Sequence, residues 1–303
     1  MMGRRWSLSA LVEVVSRPWG HGLRAIRGTR NEGIPSQERV PPFACKRCVT
    51  VLKLLLVAAA LAAGCAPSAE RECLYQVSTL GALVEGVYDG NLAVGELKKH
   101  GDLGIGTFDA LDGEMVMLDG RVYRVRADGK AEEVADEETT PFAAVTFFEA
   151  DHTGSLEGPF DLARVEEMLD KVLPTKNIPY AVRIEGTFAH VKTRSIPRQT
   201  KPYPRLPEVA AKQPTFEFQN VAGTLVGFRC PPYMKGLNLP GWHLHFLTAD
   251  RTAGGHVLEL VTEKVRFAID YTFAIYVALP KGGGFYKADL GGEKSADLER
   301  AEK

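Results

Sequence analysis

Hydrophobic and polar residues alternate with two different periods from about residue 71 onwards. Apolar residues recur at helical spacing from Phe160 to Val172, which predicts an amphipathic helix. Most other segments alternate with period two, as half-buried strands do. This alternation predicts seven strands: Gly104–Phe108, Phe142–Phe148, Tyr180–Lys192, Val221–Phe228, Trp242–Thr248, His256–Phe267 and Tyr271–Ala278.

Turn and capping residues separate these segments. Glu114–Leu118 and Arg121–Val125 flank Asp119-Gly120, a dipeptide that favours two-residue hairpin turns, so a β-hairpin is predicted. Serine, threonine and glycine residues mark the ends of short helical segments. Three short helices are predicted: Ser78–Tyr88, with Ser78 or Thr79 as the N-cap, Val94–His100 and Glu208–Lys212.

The order of these elements predicts a mixed α/β (α+β) fold. Helices and strands mix in the first part, and the second part is strand-rich. A Pro-rich segment at 197–207 is the predicted domain boundary. It divides the body into an N-terminal α/β domain, 71–200, and a strand-rich C-terminal domain, 201–303, that carries the metal site predicted below. A chain of 303 residues is long enough for one large domain or two modest ones.

The distribution of charge sets the N-terminus apart from the body. Residues 1–48 hold nine basic and three acidic side chains, whereas residues 65–303 have a net charge of −8. An acidic body argues against a nucleic-acid surface. The whole chain is 45% hydrophobic and 25% charged, which is typical of a globular protein and excludes a disordered chain, a collagen, a coiled coil and a polytopic membrane protein.

Residues 49–70 have the features of an export signal. Lys53 precedes ten apolar residues, Leu54–Ala63. Ten are too few to cross a bilayer, which takes about 20, but they fit the apolar core of a signal peptide. The following Ala62-Ala63-Gly64-Cys65 resembles a bacterial lipobox, whose cysteine becomes lipidated. We therefore expect an exported protein, lipid-anchored at Cys65 or released to the periplasm or medium, and a cytoplasmic protein if the signal is not used.

Residues 1–48 precede this signal. Because a signal peptide begins close to its apolar core, one interpretation is that translation starts near Val49 or Val51 and that the upstream stretch is a gene-model artefact. A genuine, disordered basic extension is the alternative.

The five cysteines are too few for a disulfide framework. Cys45 and Cys48 have CxxC spacing, but because no second pair follows, they predict a zinc or redox site only weakly. Cys73 and Cys230 can pair in an oxidising compartment or remain buried thiols.

Three of the seven histidines lie within fourteen residues and predict a metal site. His243 and His245 are two positions apart on a predicted strand, so they face the same side. The turn-rich segment Asp250–Gly255 reverses the chain, which lets His256 face this pair. Three neutral imidazoles with an open position are typical of catalytic zinc, although spacing alone does not distinguish zinc from manganese, iron or nickel. The alternative is a pair of surface histidines on a half-exposed strand.

Three further polar residues are candidates for chemistry. Glu114 begins the first hairpin strand, Arg194 follows a long strand, and Glu302 is next to the C-terminal residue. Each alone is typical of a solvated surface, so spacing assigns them no role.

A series of ordered segments carries a resemblance to a known family. They run from about Tyr75 to the C-terminus: Gly106–Glu114, Leu118–Gly120, Asn177–Phe188, Lys192–Ser195, Gln199–Tyr203, Gly223–Phe228, Gly241–Phe246 and Gly254–His256. Together they resemble the acetolactate decarboxylases. Trp242 is a departure, since another aromatic residue such as tyrosine is common there.

The resemblance implies a metal-dependent enzyme that converts (S)-2-acetolactate to (R)-acetoin and CO2. It assigns the Zn²⁺ ligands to His243, His245 and His256. It assigns the other active-site residues to Glu114, Arg194 and Glu302, with Glu299 as an alternative to Glu302. The implied partners are the small-molecule substrate and a second subunit in a homodimer.

The resemblance also implies a mechanism. Zn²⁺ chelates the C2 hydroxyl and the neighbouring carbonyl, and stabilises the enediolate that forms as CO2 leaves. Arg194 holds the carboxylate or a neighbouring oxygen, or orients the proton donor. The two glutamates are candidates for proton transfer.

Two other classes of function remain. A cupin-like metal oxygenase also has an HxH pair, but cupins place a glutamate a few residues later, where this chain has Ala249 and Asp250. A non-catalytic, tethered protein that binds a metal or a hydroxy acid is the other class. Glu114 and Arg194 argue against it.

Overall fold

The computed structural model describes residues 71–291 and residue 297. Fourteen strands are present in this part of the chain: β1 (Cys73–Val77), β2 (Leu92–Ala93), β3 (Leu103–Thr107), β4 (Glu114–Leu118), β5 (Arg121–Val125), β6 (Ala131–Glu133), β7 (Thr139–Thr140), β8 (Ala143–Thr146), β9 (His152–Glu157), β10 (Tyr180–Arg194), β11 (Thr215–Cys230), β12 (Gly241–Thr248), β13 (Gly254–Tyr271) and β14 (Ala274–Ala278). The α helices there are α1 (Leu80–Val84), α2 (Val94–Leu97), α3 (Leu162–Val172) and α4 (Leu206–Ala210).

Seven strands form the first sheet, in the order β14-β1-β8-β3-β4-β5-β6. β1 and β14 are parallel, and the other neighbours are antiparallel. The predicted hairpin is confirmed as β4 and β5. Asp119 and Gly120 both have positive φ, 53° and 72°, as the tightest hairpin turns require.

The second sheet has the order β10-β11-β12-β13-β9. β10 pairs with both β11 and β13, so four of the five strands form a closed ring. β13 is eighteen residues long, and its pairing with β10 has register shifts that let the long strands bend. The predicted amphipathic helix is confirmed as α3, which buries Val165 and Leu169 against this sheet.

The two sheets share a buried core. Leu74, Ile105 and Val116 of the first sheet lie in one cluster with Val226 and Phe228 of the second. This packing fixes the end of β4 against β12 and β13, which is the arrangement that builds the site described below. The fold class predicted from the sequence, mixed α/β with a strand-rich C-terminal half, is confirmed.

The division between the sheets does not follow the sequence boundary predicted at 197–207. β9 and β10 lie before residue 200, yet they belong to the second sheet. β10 and β11 pair over fourteen positions, so the Pro-rich segment connects two neighbouring strands. β14 leaves the second sheet and joins the first beside β1.

Several element boundaries differ from the sequence-based expectation. The segment expected as one strand, Tyr271–Ala278, is broken after Tyr271, and its second part becomes β14. β11 begins at Thr215 rather than Val221, and its first residues do alternate, with Phe216 and Phe218 half-buried between exposed polar residues. β1 and β9 were not predicted. β9 buries Leu156 as its one fully enclosed side chain, so its sequence shows little alternation.

The capping and cysteine expectations have clear outcomes. Thr79, not Ser78, caps α1, and its Oγ1 accepts a hydrogen bond from Ala82 N at 3.1 Å. Cys73 and Cys230 are both free thiols, and burial raises the pKa of Cys230 to about 12.

The basic extension (1–48), the signal and tether (49–70), the CxxC pair and Cys65 lie outside the described residues. None of the helices in the described part is long and apolar enough to span a membrane.

Candidate active site

The histidines come together on a hairpin of two strands. β12 carries His243 and His245, and the third residue of β13 is His256. His245 lies directly opposite His256 in the ladder. A side chain on Gly254 would place its Cβ 2.1 Å from the Phe246 carbonyl oxygen, so only glycine lets the two strands approach this closely. The turn that the sequence predicted therefore delivers all three imidazoles to one place.

The three imidazoles have the geometry of a metal-binding group. All three side chains are buried, and their candidate ligand atoms lie within 4.8 Å of one another. His243 Nε2 is 3.1 Å from His256 Nδ1. Two nitrogens bound to one tetrahedral zinc at about 2.0 Å would be about 3.3 Å apart. The side chains are thus nearly positioned for a shared ion.

The backbone fixes which nitrogen of His245 can act as a ligand. His245 Nδ1 lies 2.8 Å from the Met115 carbonyl oxygen. A carbonyl can only accept, so Nδ1 carries the proton and Nε2 carries the lone pair. That Nε2 is buried, and no described residue offers it a hydrogen bond. A lone pair oriented in this way, beside two other imidazoles, fits a metal ligand.

Burial keeps the imidazoles neutral. Burial, assisted by repulsion from the nearby Arg194 guanidinium, lowers the pKa of His243 to about 3. Burial likewise holds the pKa of His245 well below its usual value, with His243 contributing repulsion. Neutral imidazoles need not release a proton before they bind a cation.

Glu114 faces the histidines from the first sheet. It is the first residue of β4, it is buried, and its Oε2 lies 3.7 Å from His245 Nε2. Gly113 precedes it with a φ of 95°, and Thr107 Oγ1 donates to the Gly113 carbonyl at 2.8 Å. This turn holds the carboxylate at the edge of the triad.

Arg194 reaches the site from the second sheet. It is the last residue of β10 rather than the residue after it, and it is buried. In the ladder it lies opposite His256. Its Nη1 donates a 2.6 Å hydrogen bond to Gln213 Oε1.

These five side chains line one pocket. Six side chains of one hydrophobic cluster form its apolar wall: Leu80 and Leu83 of α1, Leu206 of α4, and Leu111, Phe142 and Ile196 from segments next to β4, β8 and β10. The pocket therefore has a polar side with candidate metal ligands and an apolar side suited to short alkyl groups. It matches a small, anionic, partly aliphatic substrate.

Comparison with models of known protein families assigns the chain to one family. The model of the alpha-acetolactate decarboxylase family matches residues 74–292. The chain belongs to the alpha-acetolactate decarboxylase family. An alpha-acetolactate decarboxylase of Methanosarcina mazei is 55% identical over 232 residues, covering 77% of this chain and 81% of the relative. The Methylococcus capsulatus enzyme is 45% identical over 229 residues, covering 76% and 88%.

A solved structure of the family has the same fold. The crystal structure of alpha-acetolactate decarboxylase from Bacillus subtilis strain 168 matches with a TM-score of 0.75 and 40% sequence identity. The match covers 76% of this chain and 99% of the crystallised chain. The predicted family, and with it the prediction of a decarboxylase, is confirmed.

The structure brings together five of the six predicted site residues. Glu302 and its alternative Glu299 lie outside the described residues. Asp297 is described, and its Oδ2 accepts a 2.8 Å hydrogen bond from Arg205 Nη2. Arg205 directly precedes Leu206, which lines the pocket. Asp297 is therefore held by the residue that precedes this part of the pocket lining.

Sequence reasoning missed the residues that support the site. Thr107 contacts the turn before Glu114. Gln213 contacts the Arg194 side chain. Thr107 lies within the Gly106–Glu114 segment, but nothing in its spacing marks it out from its neighbours. Gln213 lies in none of the segments that carry the resemblance, and its partner is nineteen residues away. The apolar wall was also missed, because apolar residues in short helices are equally typical of a core.

Proposed function

We propose that the chain decarboxylates (S)-2-acetolactate to (R)-acetoin and CO2, with Zn²⁺ bound to His243, His245 and His256. One observation carries the proposal: the buried triad shares a single pocket with Glu114 and Arg194 in a member of this enzyme family. The orphaned Nε2 of His245 supports a metal at this place, and a set of three neutral nitrogens favours zinc.

The bound metal and the residues around it have separate roles. Zn²⁺ held by His243, His245 and His256 would supply a Lewis acid for negative charge that develops on the substrate oxygens. Arg194 binds an anionic oxygen of the substrate and fixes its orientation. The apolar wall holds the two methyl groups and excludes water, which strengthens both electrostatic contacts.

Glu114 is the proposed proton donor. When CO2 leaves, its bonding electrons remain on C2 and delocalise onto the adjacent carbonyl oxygen. A proton must then be added to C2, and delivery from one fixed carboxyl group gives one enantiomer of acetoin. Glu114 is suited to this because it is buried 3.7 Å from the triad. Glu302 is proposed as the second carboxylate, and the Asp297–Arg205 contact supports a C-terminal segment close to the pocket.

The direct test measures acetoin from racemic acetolactate. The purified protein is assayed as isolated, after chelation, and after return of zinc, manganese, iron or nickel, with chiral chromatography of the product. We expect (R)-acetoin that disappears on chelation and returns with zinc. A folded, zinc-loaded protein that forms no acetoin contradicts the proposal and favours the tethered binding protein.

The location and assembly of the protein are also proposed. A lipid anchor at Cys65 would place acetoin formation outside the cytoplasmic membrane. Incorporation of a radioactive fatty acid that is abolished by Cys65→Ser but not by Cys48→Ser tests the anchor, and globomycin should retain the label in a larger, uncleaved precursor. The absence of label from the wild-type protein contradicts it. Light scattering of the purified protein tests the proposed homodimer.

A further inference from the structure

The main chain around Arg194 is held on both sides. Arg194 lies opposite Thr215 of β11 and opposite His256 of β13. The next residue, Ser195, donates its backbone N–H to the Pro214 carbonyl at 3.3 Å. These contacts fix the Cα of Arg194. They do not fix its guanidinium, because an arginine side chain retains several rotatable bonds and loses substantial entropy when it is ordered.

Gln213 supplies a contact that orients this guanidinium. Its Oε1 accepts the 2.6 Å hydrogen bond from Arg194 Nη1. Gln213 lies between α4 and β11, and its own backbone N–H donates to the Ala210 carbonyl at the end of α4 at 3.3 Å. α4 also contributes Leu206 to the apolar wall. One short segment therefore links the apolar wall to the charged side of the pocket.

The chemical nature of this acceptor matters. An amide oxygen orients a guanidinium without adding charge. A glutamate has nearly the same size and accepts the same hydrogen bond, but it brings a negative charge within about 3 Å of the guanidinium, where it competes with an anionic ligand. Arg194 is 2% exposed, so water screens such a charge poorly.

We propose that Gln213 is a positioning residue that directs Arg194 towards the carboxylate of the substrate. The inference rests on the proposed function and deepens it, because it identifies the carboxylate as the group that Arg194 recognises. It also makes the neutrality of residue 213 a determinant of specificity for an anionic substrate.

The test compares a charged with an uncharged ligand in matched variants. Gln213→Glu keeps the size and the acceptor but adds a charge, whereas Gln213→Met keeps the size and removes the acceptor. Gln219→Glu is the control. Gln219 is an exposed residue of β11, six residues after Gln213, which corresponds to about 20 Å of extended chain. The ligands are 2-hydroxyisobutyrate, which has a carboxylate and does not react, and acetoin, which has none.

Binding constants for both ligands are measured by calorimetry on the zinc-loaded protein. For Gln213→Glu we expect roughly tenfold weaker binding of 2-hydroxyisobutyrate, which corresponds to about 1.4 kcal/mol, because the added charge competes with the carboxylate for the guanidinium. For acetoin, which has no carboxylate, we expect less than a twofold change. Gln213→Met weakens hydroxy-acid binding less, by about threefold, because it disorders the guanidinium but keeps its charge. Gln219→Glu leaves both constants unchanged.

Two results overturn the inference. In one, Gln213→Glu weakens the binding of both ligands equally, which is the result expected if Gln213 only supports the fold. In the other, it weakens the binding of neither ligand. Thermal unfolding of each variant shows that the fold is retained. The proposed function is tested separately by wild-type acetoin formation, so an active wild-type enzyme with unchanged ligand discrimination in Gln213→Glu contradicts the inference alone.

Discussion

Two regions of the molecule bury ionisable side chains, with opposite consequences. In the histidine pocket, burial lowers the pKa of His243 to about 3 and leaves neutral ligands. Where β13 approaches β14, Asp270 is 2% exposed, and burial raises the pKa of its carboxyl to about 7. In both regions the cause is the same, since burial disfavours the charged form of each group.

The difference lies in what surrounds each group. In the pocket, three nitrogens converge within 4.8 Å beside a cavity, and this is the one such group of potential ligands among residues 71–291 and 297. Around Asp270 the neighbouring carboxylates Asp151, Glu72 and Glu149 repel its charge, and the Glu149 backbone N–H partly offsets them. Its Oδ2 has no hydrogen-bond partner in the described part of the chain. A perturbed pKa therefore indicates a site only where complementary groups converge.

The largest expected effect is the removal of one ligand from the pocket. His256→Ala should abolish zinc binding and lower kcat/KM for acetoin formation by at least about 10³-fold, since Lewis-acid stabilisation is worth several kcal/mol. Metal content by mass spectrometry and acetoin assays measure it. His190→Ala, on β10 outside the pocket, is the matched control. Full zinc occupancy in His256→Ala would contradict the triad.

The next effect separates proton transfer from metal binding. Glu114→Gln keeps the shape of the side chain but removes its acidic proton, so we expect kcat to fall by about 10²–10⁴-fold while zinc remains bound. Glu157→Gln, an exposed glutamate of β9, controls for the substitution. If zinc is lost together with activity, Glu114 acts on the metal site and not in proton transfer.

The Asp270 region predicts a change in stability with pH. Because the folded-state pKa is raised above that of the unfolded chain, the folded protein binds more protons between pH 4 and 7, and stability falls as pH rises through this window. Asp270→Asn removes the cost of ionisation. It should raise the free energy of unfolding by about 2 kcal/mol at pH 8 and change it little at pH 4. Denaturant unfolding at both pH values measures this, and an equal effect at both would exclude ionisation as the cause.

The same two regions show what the sequence reveals. The His243–His256 hairpin is local: alternation, a turn and three ligand-type residues within fourteen positions predicted it correctly. Asp270 gave no signal, because its burial depends on segments far apart in the chain. Its acidic neighbours precede β1 and β9, two strands that the sequence pattern did not reveal. Non-local pairing such as β1 with β14 is set by tertiary packing, which periodicity along one chain does not encode.

The smallest expected effect tests whether repulsion contributes at Asp270. Asp151 is exposed, and its Oδ2 accepts a 2.7 Å hydrogen bond from Tyr271 N, which an asparagine oxygen can replace. Asp151→Asn therefore removes mainly charge, and we expect about 0.5 kcal/mol of stabilisation at pH 8. In the Asp270→Asn background this gain should vanish, because no carboxylate remains to be repelled. The same gain in both backgrounds would show that Asp151 acts independently of Asp270. Burial and the remaining carboxylates, Glu72 and Glu149, would then account for the raised pKa of Asp270.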